Sequence, residues 1–306
     1  MRAVAASRED RIVRSSCPRL RSAIAAAALA LGVTGAAAAE DLPVDLELVL
    51  AIDVSQSVDA QEGRLQRLGY VEALVHPRVI DAIRNGRHGR IAVTYFEWAG
   101  PGLWRRLVDW RVIEDLDSAR AFTRDLTRIP IARATGTSIS GAIEVGATLF
   151  DGNGLAGVRR VIDISGDGPN NGGQNVARAR DVAVKAGITI NGVAINNFDG
   201  SAFSLPDLDV YYDECVIGGT NAFVVAADGF ESFATAILRK LILEIADLTP
   251  SEPERFGPAR IVPAQAQRDV PRGQRAQKYA PACDIGERMR FLDNPALGPP
   301  PAPPGR

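Results

Sequence analysis

The strongest constraint on this chain is an alternation. Between Leu42 and Leu248, apolar runs of strand length take turns with helical stretches. The runs are Leu46 to Asp53, Arg90 to Phe96, Val158 to Ser165, Ile188 to Ile195 and Ala222 to Ala226. A strand covered on both faces reads as such an unbroken run, because neither set of side chains meets water. Leu103 to Ile113 differs: Trp and Arg interleave with aliphatic residues, as on a more exposed edge strand. Helices are predicted from Val58 to about Gly86 with a break near Pro77, from Asp117 to Ile129, from Ser138 to Phe150 and from Gln174 to Ala186. In the last helix Phe230, Phe233, Ile237, Leu238, Leu241, Ile242 and Ile245 fall on one face, which predicts core packing, and Asp228 with Glu231 is spaced as a capping box. Strands separated by helices cross over and run parallel. The predicted fold class is therefore α/β: a doubly wound, mostly parallel six-stranded sheet with one antiparallel edge strand and helices on both faces.

Both ends differ from this middle. Arg2, Arg8, Arg11, Arg14, Arg19 and Arg21 precede an Ala-rich apolar run that ends in Ala37-Ala38-Ala39. A basic start, an apolar run and a small-residue step describe a signal peptide, residues 1–39, cleaved before Glu40. An uncleaved anchor is the rival reading, but Ala inserts weakly and the run barely reaches the length of a span. The expected location is the periplasm or the exterior, with no stable membrane span after cleavage. Residues 249–306 are punctuated by Pro250, Pro253, Pro258, Pro263, Pro271 and Pro281. Too little apolar surface is available there to offset ordering entropy, so a Pro-rich, largely disordered tail is expected. The net charge of −2 offers nucleic acid no bulk attraction. Cleavage leaves Cys215 and Cys283; an exported protein can bridge them, and free thiols or a bridge to another chain stay open.

The chemistry gathers at Asp53-Val-Ser55-Gln-Ser57, where the first strand gives way to a helix. Ligands of open parallel sheets collect at the carboxyl ends of strands. Three side-chain oxygens at alternate positions of a tight loop can converge on a hard cation such as Mg²⁺. The bland alternative is that Asp53 or Ser55 only caps the helix. Two other loops reach the same edge: Ala134-Thr-Gly-Thr137-Ser-Ile-Ser-Gly141, and Ser165-Gly166-Asp167-Gly168 at the end of an apolar strand.

Together these loops resemble the metal-ion-dependent adhesion site of von Willebrand factor A domains: Asp-x-Ser-x-Ser, a Thr in a Gly-Thr loop, then Asp-Gly after the fourth strand. The resemblance spans residues 40–248 and implies Asp53, Ser55, Ser57, Thr137 and Asp167 as metal ligands. Ile164 to Asn171 and Asp213 to Gly219 are similar, more specifically, to a family of exported bacterial proteins of unknown function that carry this domain. One departure stands out. The common form has Thr or Ser directly before Asp-Gly, where this chain has Gly166. The resemblance implies Mg²⁺, or Mn²⁺ or Ca²⁺, held by hydroxyls directly and by aspartates partly through water, with a protein partner's carboxylate completing the shell. Asn170, Asn171, Glu97 and Trp98 are candidates for the ligand rim, or for local turn and packing roles.

A Mg²⁺-dependent phosphohydrolase is the alternative from another class. It needs a nucleophilic Asp and a second acid two residues on, and Ser55 occupies that second place. No phosphate-cradling loop or nucleophile elbow is present. A scaffold with a vestigial metal site is the third reading. The sequence thus favours a non-enzymatic, metal-dependent protein-binding module.

Overall fold

The computed structural model describes residues 40–197, 204–248, 254–256, 259–263 and 282–293. Residues 1–39, where a signal peptide is expected, lie outside them, as does most of the expected tail. Among the described residues no helix is long and apolar enough to cross a membrane.

The chain order is β1 (Leu42–Asp53), α1 (Ala60–Leu74), α2 (Pro77–Arg84), β2 (Ile91–Trp98), β3 (Trp104–Ile113), α3 (Leu116–Thr127), α4 (Ile139–Thr148), β4 (Leu155–Gly166), α5 (Val176–Lys185), β5 (Thr189–Ile195), α6 (Leu208–Tyr211) with a π-helical turn Tyr212–Val216, β6 (Phe223–Ala227), α7 (Phe233–Ile245), β7 (Glu254–Phe256), β8 (Ala259–Pro263) and α8 (Ile285–Asp293). The strands form one sheet in the order β3-β2-β1-β4-β5-β6-β8-β7. The six expected strands are present: β1, β2, β4, β5 and β6 run parallel, and β3 lies antiparallel at one edge. Strand order reverses at β1, which pairs with β2 on one side and β4 on the other.

Alternate residues of the central strands feed two cores. Leu46, Leu48, Leu50 and Ile52 face α1, α2, α3 and α7, whereas Val49 and Ala51 face α4, α5 and the segment from Leu208 to Ile217. The predicted stripe on α7 is core: Phe233, Ile237, Leu241 and Ile245 are buried, with Leu238 and Ile242 packed at its border. The helical break expected near Pro77 is a clean one, since His76 caps α2 and Pro77 takes its first turn.

One expectation is corrected. The capping box at Asp228 does not form, because Gly229 turns the chain into a short 3₁₀ segment, Phe230–Ser232, and α7 begins without a side-chain cap. Within residues 249–306, expected as a largely disordered tail, the described segments hold two strands and a helix. Strands β7 and β8 extend the sheet antiparallel beyond β6, and Cys283 is bridged to Cys215 just before α8. An open strand edge offers backbone groups that need partners, and a cross-link lowers the entropy of the unfolded chain. Proline spacing reports neither.

Candidate metal centre

At the carboxyl ends of β1 and β4 the polar chain begins with Asp53, the last residue of β1. Its Oδ1 accepts the Ser55 amide at 2.7 Å and so folds the following loop back on itself. The Ser55 and Ser57 hydroxyls lie 2.9 Å apart, and Ser57 donates to Asp167 Oδ1 at 2.7 Å. Asp53, Ser55, Ser57 and Asp167 are therefore one hydrogen-bonded cluster drawn from two strand ends.

Helix capping does not explain this cluster. Helix α1 starts at Ala60 and is capped by Asp59, whose carboxylate accepts the Gln61 and Glu62 amides while Glu62 returns the favour to the Asp59 amide. Asp53 and Ser55 are thus not needed at the helix end. A residue the sequence reading passed over fixes the loop from outside: Arg133 donates to the carbonyls of Val58, at 2.9 Å, and Gln56, at 2.6 Å.

Thr137 arrives on a neighbouring loop. Ala134 donates to the Val54 carbonyl at 3.0 Å and bridges Ser55, so the two loops run side by side. The Thr137 backbone is held at both ends by Asn171, whose amide donates to the Thr137 carbonyl at 2.8 Å and whose Oδ1 accepts the Thr137 amide at 2.9 Å. Ser138 then caps α4.

The rim candidates fare differently. Glu97 and Trp98 are only 2% and 1% exposed. Glu97 is paired with Arg67 of α1 and with Arg105 across β3, so neither residue is open to a ligand. Asn170 is fully buried: its Oδ1 accepts the Ser140 amide, and its Nδ2 donates to the Gln174 carbonyl and to Glu287. Asn171 is half-buried, with its amide oxygen engaged by Thr137. Asn170 and Asn171 hold the loops of the candidate site, and local sequence carries no sign of Arg67, 30 residues from the Glu97 it pairs with. Asp163 lies deeper on the opposite face of β4, 2.8 Å from Lys240.

The arrangement fits a cation. Among the described residues, Asp53 Oδ2 is buried with no hydrogen-bond partner. Burial, and then the charge of Asp167, push the Asp53 carboxyl well above the usual carboxylate range. A divalent ion relieves both conditions at once, since it satisfies the orphaned oxygen and neutralises two carboxylates. Three hydroxyls and two carboxylates are a hard-oxygen donor set. Among the described residues no group of three or more His, Cys, Asp or Glu offers a rival metal cluster. Beneath the site lies Tyr212, which sequence pattern did not flag; among the described residues its hydroxyl is also buried without a partner. The departure at Gly166 now has a physical reason. A Cβ there would stand 2.8 Å from Tyr212 Oη and 2.9 Å from Asp53 Oδ2, distances that no side chain tolerates without displacing one of them.

Comparisons with known proteins give a family for the chain. A family model described as "Protein of unknown function (DUF1194)" matches residues 43–249. No curated protein matches the chain. Among solved structures, proximal thread matrix protein 1 from the mussel byssus, determined with a zinc-occupied MIDAS motif, is 14% identical; the match covers 73% of this chain and 48% of that one, with a TM-score of 0.46. The pilus adhesin SpaC from Lactobacillus rhamnosus GG in its open conformation is 12% identical over 73% of this chain and 37% of that one, with a TM-score of 0.48. A von Willebrand factor type A protein from Catenulispora acidiphila is 14% identical over 72% and 55%, with a TM-score of 0.45. The chain spans about half, or less, of the length of these solved proteins.

Proposed function

The chain belongs to the DUF1194 family and carries a von Willebrand factor A-like domain, and on this premise we propose that the domain is an exported, non-enzymatic module that captures an acidic group of a protein partner through a bound divalent cation. The observation that carries the proposal is the division of labour at the end of β1. Asp59 caps the helix, so Asp53, Ser55 and Ser57 are left to form one hydrogen-bonded cluster with Asp167, in which Asp53 Oδ2 is buried and has no hydrogen-bond partner among the described residues.

Ser55, Ser57 and Thr137 would hold Mg²⁺, Mn²⁺ or Ca²⁺ through their hydroxyls, with Asp53 and Asp167 supplying the balancing charge. When bound, the ion supplies an electrophilic coordination position for an incoming carboxylate. Hydroxyl ligands keep the site's own negative charge low, which favours an external anion. Arg133 and the Asp53–Ser55 turn hold the loop in its bound form in advance, so less ordering entropy is lost on binding. Ser55 stands where phosphohydrolysis would need its second acid, which supports binding over catalysis.

Titration calorimetry with Mg²⁺ on the intact chain and on Asp53→Ala tests the metal. Saturable binding by the wild type and none by the variant is expected; equal binding by both refutes the assignment. Capture of partners from a periplasmic extract with Mg²⁺ against EDTA tests the function. Metal-independent capture would favour the scaffold reading, and phosphatase turnover in the same preparation would revive the enzyme.

A further inference from the structure

Helix α8 is an appendage to the sheet, yet it makes specific contacts with one loop, the segment Pro169 to Gly172 that follows Asp167. Asn170 Nδ2 donates to Glu287 Oε1 at 2.6 Å. Arg290 Nη1 donates to the Asn171 carbonyl at 3.2 Å. Gly286 lies flat against the Asn170 carbonyl, where even a methyl would collide with that oxygen and with the Pro169 ring. Cys283, Ile285 and Met289 pack on the core beneath. The contacted loop is the one that grips α4: Asn170 Oδ1 takes the Ser140 amide at 2.9 Å, and Asn171 holds Thr137 through both its backbone amide and its side chain.

The other end of the connection also reaches the site. Cys215, to which Cys283 is bridged, belongs to the π-helical turn Tyr212–Val216. That turn carries Tyr212, the residue whose hydroxyl shares with Asp53 the space left by Gly166. The disulfide therefore ties the segment beneath Asp53 to the helix that braces the Thr137 loop.

We propose that Glu287 and Arg290 are positioning residues of the metal site: through Asn170 and Asn171 they fix the Thr137 loop, and the Cys215–Cys283 bridge holds their helix in register to do so. This inference rests on the metal reading above. A loop held only by its own hydrogen bonds samples many geometries, whereas a ligand hydroxyl must return to one. Bracing from a covalently anchored helix removes that freedom. Partners one shell removed from a metal change affinity by about 10–100-fold when lost, and a brace acting through Asn170 and Asn171 belongs at the lower end.

The test is Mg²⁺ calorimetry on the full chain, with the melting temperature in EDTA recorded for each variant. Glu287→Ala removes the acceptor for Asn170 and is expected to weaken Mg²⁺ about tenfold. Glu287→Gln keeps an acceptor oxygen and is expected to restore affinity to within about twofold of wild type, a rescue that general loss of stability would not produce. The double variant Cys215→Ser/Cys283→Ser is expected to weaken Mg²⁺ as Glu287→Ala does. Should either variant fail to fold, Arg290→Ala, which deletes a single bond to a carbonyl, probes the same brace and is expected to weaken Mg²⁺ as well. Wild-type affinity in the folded variants, alongside loss of binding in Asp53→Ala, overturns the brace and leaves the metal site standing. Absence of binding in the wild type removes both.

Discussion

Replacing Lys240 with Met tests the buried charges between β4 and α7. Lys240 Nζ stands 2.8 Å from Asp163 Oδ2 and 3.2 Å from Glu244 Oε2, and all three side chains are shut off from solvent. Asn191 donates to the Glu244 carboxylate as well. Met fills much of the lysine stem, so the loss is chiefly electrostatic. Removing one partner of a buried ion pair costs about 3–5 kcal/mol, because a charge is left without compensation. Proton balance gives the effect a signature. Burial pushes the Asp163 carboxyl up to about 7, against the downward pull of Lys240, so the folded wild type holds a proton there that the unfolded chain has released above about pH 4. That contribution is fully present below the unfolded-state value and is lost as pH rises through about 7. Without the cation the cluster must take up a further proton. Each additional proton costs about 1.4 kcal/mol per pH unit, and the gap between variant and wild type should widen by roughly 2.7 kcal/mol from pH 5 to pH 7. Urea unfolding followed by tryptophan fluorescence at pH 5, 6 and 7 measures it. Adding Glu244→Gln should recover most of the loss at pH 7. A deficit below about 1 kcal/mol at pH 7, or one independent of pH, would refute the reasoning.

Mg²⁺ at a hundred times its dissociation constant should stabilise the wild type by about 2.7 kcal/mol; a thermal melt that EDTA leaves unchanged would count against the site. Gly166→Thr, which installs a residue of the common pattern, should cost about 1–3 kcal/mol through collision with Tyr212 and Asp53. Tyr212→Phe in that background should recover part of it, and melting curves of the single and double variants decide. Arg133→Ala should leave the fold intact and weaken Mg²⁺ severalfold, because the carbonyls of Gln56 and Val58 lose their anchor; calorimetry on that variant is the check.

The sheet was legible because burial on both faces writes itself into unbroken apolar runs, and the change of character at Leu103 to Ile113 marked the antiparallel edge. The metal-site candidates were legible as three loops that the topology brings to one end. Other features were written locally and passed over. Asp59 and Glu62 have capping-box spacing, and reading them would have removed the alternative role for Asp53 at once. Glu97 looked like a rim residue because it sits near a strand end; its burial depends on Arg67, 30 residues earlier, which no local pattern discloses. Asn170 and Asn171 are polar and follow a candidate ligand loop, yet their side chains bind protein groups. The bridge from Cys215 to Cys283 could not be chosen from sequence, since pairing depends on where α8 comes to rest.

That bridge also imposes an order on assembly. Its cysteines are separated by 68 residues, and β6, α7 and the β7–β8 hairpin are all synthesised between them. The disulfide can close only after the last parallel strand and its covering helix exist. A chain broken off between Leu248 and Cys283 would contain every strand of the parallel sheet and every metal-site candidate, but not the latch. It would keep the site with a loosened grip, told apart from the bridged chain by ligand affinity more readily than by shape.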